Sequence, residues 1–263
     1  MYSLRNLLIP MIFASTLLSG CGGNIFESMV DNNSTAAKKE DARIALDKGN
    51  YTEAVRLLEE LCGTDTSNLT CDEETQANLA SAYIADATNL DVLQLIAKAE
   101  EAAAGTASSF TTVSTLLPIT DINACASDPT ACTITDKMGD AITILEGLLP
   151  ATVPANPADT EKNLYLQLAV ASAVDIAVTI GTVSGGLNTD GTPVEVPTDI
   201  DQATLTTITN DVNNIIDGVS GSGLVSAELT NDINNIKSEI DSTPDGNVTL
   251  GELQTYITNL YLQ

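Results

Sequence analysis

The chain has no histidine and no tryptophan, and only 3% of its 263 residues are aromatic. It has ten basic residues against 36 acidic ones, for a net charge of −26. Without imidazole, the commonest general base and the usual nitrogen ligand for transition metals are missing. Serine or carboxylate chemistry would need its own signature, and none is written here. There is no Gly-x-Ser-x-Gly elbow, no phosphate-cradling glycine loop and no His-Glu-x-x-His. The expectation is a protein that is not an enzyme. The shortage of bases is most severe from Asn163 onward, where Lys237 stands alone among many carboxylates. Such a surface repels nucleic acid and anionic headgroups and attracts cations. At 43% hydrophobic the sequence is too apolar for a disordered chain. Its abundant Ala, Leu, Ile, Thr and Asn point to a helical protein with a thin core.

The amino terminus carries the most specific signal. Arg5 precedes a nearly unbroken apolar stretch, Leu7 to Leu18, and small residues lead into a cysteine at Leu18-Ser19-Gly20-Cys21. This reads as an export signal. A stretch this short, interrupted by Pro10, falls well below the ~20 residues of a transmembrane helix. A membrane anchor and an ordinary cleaved signal with a chance cysteine are the rival readings. The ending resembles the lipobox of bacterial lipoproteins. That resemblance implies that Cys21 becomes the first mature residue and carries acyl chains, tying the protein to a membrane. Gly22 after the cysteine, where an Asp would imply retention in the inner membrane, implies the outer one. Loss of residues 1–20 removes one base and no acid, so the charge of −26 becomes −27.

Of five cysteines, Cys21 is assigned to the lipid and four remain. Cys62 and Cys71 bracket one polar loop, and Cys125 and Cys132 another. In an oxidising compartment, local bonds 62–71 and 125–132 are the simplest of the three connectivities. A zinc site is the alternative, but these spacings are unlike paired Cys-x-x-Cys ligands.

After a polar tether (residues 21–34), the pattern predicts paired helices over residues 35–185. Ala42, Ala45 and Leu46 share one helix face, and Gly49-Asn50 breaks the helix. Tyr51-Thr52-Glu53-Ala54 opens another, with Leu57, Leu58 and Leu61 inward. This resembles the tetratricopeptide (TPR) repeat, whose small residues let paired helices approach while a tyrosine fills the wedge at the turn. Asn78-Leu79-Ala80 with Tyr83 resembles the opening helix of a second unit, with Asn89 to Ala104 as its partner. Gly139-Asp140-Ala141 with Ile144, Leu145 and Leu148 is a fainter third. An irregular bundle with similarly spaced Ala/Leu faces is the alternative; either way the fold class is all-α, a TPR-like array followed by a small helical module. Leu164 to Ile180 is apolar on every side and contains Asp175, which predicts a buried central helix. Gly185-Gly186 to Pro197 forms a turn-rich segment, and residues 186–200 are taken as a linker. The module at 201–263 opens with helices at Gln202 to Asp217 and Ser226 to Ile240. These share the near-duplicates Thr209-Asn210-Asp211-Val212-Asn213-Asn214-Ile215 and Thr230-Asn231-Asp232-Ile233-Asn234-Asn235-Ile236, and are expected to face each other.

Asp241-Ser242-Thr243-Pro244-Asp245-Gly246-Asn247-Val248-Thr249-Leu250-Gly251-Glu252 has the pattern of a calcium loop. Calcium takes six to eight oxygens in a flexible cage. The stretch resembles the EF-hand loop, which implies Asp241, Thr243, Asp245, the Asn247 carbonyl, Thr249 and Glu252 as ligands, with Gly246 at the bend. Thr243 is a neutral substitute for the usual acidic or amide residue, and Pro244 is unusual. No second complete loop exists; Asn188-Thr189-Asp190-Gly191 matches half of one. Ordinary helix–turn–helix chemistry is the competing reading. A lone site with three carboxylates implies weak affinity, in the range of about 10⁻⁴–10⁻³ M, and a structural clip. The functional expectation is a lipid-anchored scaffold that binds another protein of the bacterial envelope, stabilised by calcium. The alternative is a periplasmic carrier of a small apolar ligand associated with solute uptake.

Overall fold

The structure, a computed structural model, describes residues 34–95, 97, 119–129, 132–223, 238, 240 and 248–262. Every regular element among them is a helix: α1 (Thr35–Asp47), α2 (Tyr51–Cys62), α3 (Glu73–Thr88), α4 (Ile119–Ser127), α5 (Thr133–Leu148), α6 (Asp159–Val183), α7 (Gln202–Ser222) and α8 (Leu250–Tyr261). The all-α expectation therefore stands.

Local chemistry sets most of the boundaries. Ser34, Asp72, Asp201 and Thr249 each place a side-chain oxygen on a backbone N–H two or three residues into the helix that follows. Each thereby satisfies a donor the helix itself cannot. Between α1 and α2 the chain turns through Gly49 at φ 70°, with the Tyr51 ring against it. Asn89 ends α3 in the left-handed conformation, φ 55°. The helical turn beyond it begins at Val92, three residues later than the sequence pattern implied.

Helices α1, α2 and α3 run antiparallel in succession. Lys38 near the start of α1 pairs with Glu60 near the end of α2 at 2.7 Å, and Thr52 donates to Asp86 across α2 and α3 at 2.6 Å. Asp86 also holds Lys137 of α5 at 2.7 Å, so one carboxylate ties three helices together. Ala42, Ala54, Ala80 and Ala82 are completely buried, and these small side chains let the first three helices approach closely.

Helix α6 is the axis of the core. It packs against α3, α4, α5 and α7, which explains why its apolar residues run all the way round. By length and composition alone it could cross a membrane, yet 67% of its most apolar window is buried within the protein. Its most extensive partner is α7, on the far side of the turn-rich segment 186–200. That segment is itself held down. Asn123 of α4 accepts from the Leu187 N–H (2.7 Å) and donates to the Leu187 carbonyl (3.0 Å), and Leu187 is buried.

One expectation about α7 is corrected. It does not stop at Asp217 but runs through Gly218 and Gly221 to Ser222, ending on Gly223 at φ 55°. Its apolar residues Leu205, Ile208, Val212 and Ile215 are buried in a helix that packs on α6. The second copy of the duplicated motif, at 230–236, lies outside the described residues.

Candidate functional site

The cysteines form the two local bonds, Cys62–Cys71 and Cys125–Cys132, each with Cα atoms 4.6 Å apart. All four thiols are thereby consumed, and the zinc alternative falls. Cys21 lies outside the described residues, as do Asp241, Thr243, Asp245 and Asn247 of the expected calcium loop.

The loop's last two ligand positions are described. Thr249 caps α8, and its hydroxyl accepts from the Glu252 N–H at 3.3 Å. The Glu252 carboxylate in return receives the Thr249 N–H at 3.1 Å and the Thr249 hydroxyl at 2.7 Å. This is a reciprocal capping box. It brings the ninth and twelfth loop positions side by side at a helix entrance. The same carboxylate is committed to the cap, so a cation closing on both its oxygens would have to draw it away from the Thr249 N–H. Among the described residues no group of three or more acidic or cysteine side chains is arranged to hold a metal ion. Just before the cap, the Val248 N–H donates to Thr209 of α7 at 3.2 Å, and the Gln254 amide donates to the Pro197 carbonyl at 3.2 Å. The entrance of α8 is thus tied to α7 and to the segment leading into it.

A second constellation lies at the α6–α7 crossing, which only partly announced itself in the sequence. Asp175 on α6 and Asp211 on α7 are 3% and 2% exposed, and their carboxyl groups are within hydrogen-bonding reach of each other. Ser172, completely buried one turn before Asp175, adjoins Asp211. The oxygens Asp175 Oδ1, Asp211 Oδ2 and Ser172 Oγ find no hydrogen-bond partner of good geometry. Burial raises both acids, Asp175 to about 6 and, together with the Asp175 charge, Asp211 to about 9. Two like charges in contact cannot both persist away from water.

The helices come this close because glycine lies where they cross. A Cβ on Gly218 would sit 2.5 Å from the Tyr165 carbonyl oxygen and 2.7 Å from the Ala169 Cβ, and one on Gly221 would overlap the Tyr165 ring. Tyr165, Ala169, Ser172 and Ile176 form one face of α6; Asp211, Ile215, Gly218 and Ser222 form the facing stripe of α7. Asp175 could be singled out in the sequence, as a carboxylate inside an apolar helix. Asp211 was hidden within a polar-looking repeat, although its spacing from Ile208, Ile215 and Gly218 puts it on the packed face.

Open clefts on the surface carry mixed linings. One of about 300 Å³ lies between the start of α5 (Thr135, Asp136), the end of α6 (Thr179, Thr182) and the start of α7 (Asp201, Thr204). Family models, curated protein sequences and solved structures, when compared with the chain, return no match.

Proposed function

We propose that the chain is a lipid-anchored scaffold of the bacterial cell envelope, held to the outer membrane through acylated Cys21 and presenting its TPR-like helix hairpins to another envelope protein. The observation that carries it is the architecture: α1, α2 and α3 pack antiparallel in succession, and open clefts on the surface carry mixed polar and apolar linings. Surfaces of that kind offer hydrogen bonds to a partner chain. An acidic scaffold selects partners with basic surfaces and keeps clear of nucleic acid. The carrier alternative has less behind it, because the environment of α6 is filled by Tyr165, Leu168, Val174, Ile180 and their neighbours. Local disulfides suit an exported protein.

Calcium belongs to the same proposal as a structural clip. Asp241, Thr243, Asp245, the Asn247 carbonyl, Thr249 and Glu252 would hold the ion, which would fasten the entrance of α8 by charge neutralisation. What supports it is the spacing of these oxygen-bearing residues in the sequence.

Fractionation of wild-type and Cys21→Ser cells, with crosslinking in intact membranes, tests the anchor and the scaffold together. Wild type should sediment with membranes and crosslink to a discrete protein, and Cys21→Ser should be released. A Cys21→Ser protein that stays membrane-bound removes the lipid anchor, and a wild type that yields no discrete adduct removes the scaffold. Calcium titration by calorimetry should give heat with wild type and none with Asp241→Ala; equal heats in the two remove the site.

A further inference from the structure

A buried acid pair at the crossing of the two most extensively packed helices has to be neutralised by something. A metal ion is the first candidate, and the donor set argues against it. The free oxygens are Asp175 Oδ1, Asp211 Oδ2 and Ser172 Oγ, about half of what calcium takes. The neighbouring backbone carbonyls of α6 and α7 are committed to their own helices. Gly218 and Gly221 keep the two backbones so close that even a methyl group has no room beside them. A lysine or arginine is the second candidate. Among the described residues, every basic side chain that forms an ion pair does so elsewhere, the nearest in sequence being Lys137 with Asp86 and Lys162 with Asp159. The charged group that faces the pair from α5 is another carboxylate, Glu146, which accepts from Asn214 of α7 at 2.8 Å. A proton is the one cation that needs no coordination sphere.

We propose that Asp175 and Asp211 are a proton-holding latch: the hydrogen-bonded acid pair fastens α7 to α6 while it keeps a proton, and loss of that proton loosens the α6–α7 hairpin. With one proton held, one carboxyl donates to the other and the pair carries a single negative charge, which the Ser172 hydroxyl can meet. With none held, two charges face each other in a low-dielectric crossing, and Glu146 adds to the repulsion. The α8 entrance, bonded to Thr209 two residues before Asp211, moves with α7.

The sign follows from linkage. Both carboxyls are raised above their unfolded values, so the stability they contribute is fully present below about pH 4. It is lost as pH rises through the folded values of about 6 and about 9. Between those two, the folded state holds one proton more than the unfolded state at this pair. Its folding equilibrium constant therefore falls tenfold for each pH unit.

Urea unfolding of the whole chain between pH 6 and 9 tests this, followed by near-ultraviolet circular dichroism of tyrosine, because the Tyr165 ring packs against Gly221. Wild type should lose stability by close to tenfold per unit. Asp211→Asn, which keeps the shape and can donate to an ionised Asp175, should flatten that slope. An unchanged slope in Asp211→Asn overturns the proposal. So does wild-type stability at fixed pH that rises with added calcium or sodium and loses that response in Asp211→Asn, since a metal would then occupy the pair. Should the variant fail to fold, wild type alone decides. Refolding in weakly buffered solution at neutral pH takes up a proton if the latch exists, and infrared spectra show a protonated-carboxyl band. Absence of both overturns it.

Discussion

The approach of α6 and α7 can be probed with a methyl group. Gly139 in α5 and Gly218 in α7 are both helical, and alanine gains roughly 0.8–1 kcal/mol over glycine in a helix interior. They differ in what the new Cβ meets. At Gly139 nothing lies within 4 Å, whereas at Gly218 the Tyr165 carbonyl oxygen is at 2.5 Å and the Ala169 backbone nitrogen at 2.9 Å. Backbone atoms of a central helix cannot rotate away, so the helices must separate. Overpacking of this kind costs about 3 kcal/mol, at the upper end of the usual range. Set against the propensity gain, Gly218→Ala should lose about 2 kcal/mol net, while Gly139→Ala should gain about 0.8 kcal/mol. For a domain of this size those values correspond to a melting temperature lowered by roughly 4–8 °C and raised by roughly 2–3 °C. Thermal unfolding followed by far-ultraviolet circular dichroism reads both. If Gly218→Ala melts at or above wild type, the crossing is looser than described, and the enclosure of Asp175 and Asp211 goes with it.

Asn123→Ala removes both hydrogen bonds to the buried Leu187 backbone and should cost about 2 kcal/mol. Hydrogen exchange at the Leu187 amide should accelerate while amides of α2 and α3 keep their protection; uniform acceleration would mean that the 186–200 segment is not clamped locally. Replacing Cys62 and Cys71 together by Ser opens a short loop and should cost about 2.5 kcal/mol by the chain-entropy model. Melting temperature without reductant reads this: the double variant should melt below wild type, and no difference would make the bridge dispensable.

What the sequence disclosed, and what it concealed, divides along the range of the forces. The Gly49-Asn50 break and the two disulfides are decided by residues within about a dozen positions of one another. Each could be read in passing. The last turn of α7, beyond Asp217, could not, because Gly218 and Gly221 are helix breakers by propensity. Only the presence of Tyr165 and Ala169 opposite turns their missing side chains into a packing advantage. The acid pair fails to show for the same reason. A periodicity argument places Asp175 on an apolar face and, with more care, Asp211 on another. It says nothing of whether the two faces meet. Of the expected calcium ligands, only Thr249 and Glu252 fall within the described residues. Their capping box would form at this helix entrance with or without an ion. Carboxylates on the packed faces of α6 and α7 are therefore the better guide to what distinguishes this chain. A lone buried acid is costly enough to be removed by selection unless something neutralises it. Here the neutralising group is delivered by the partner helix, as a second acid with a proton between them.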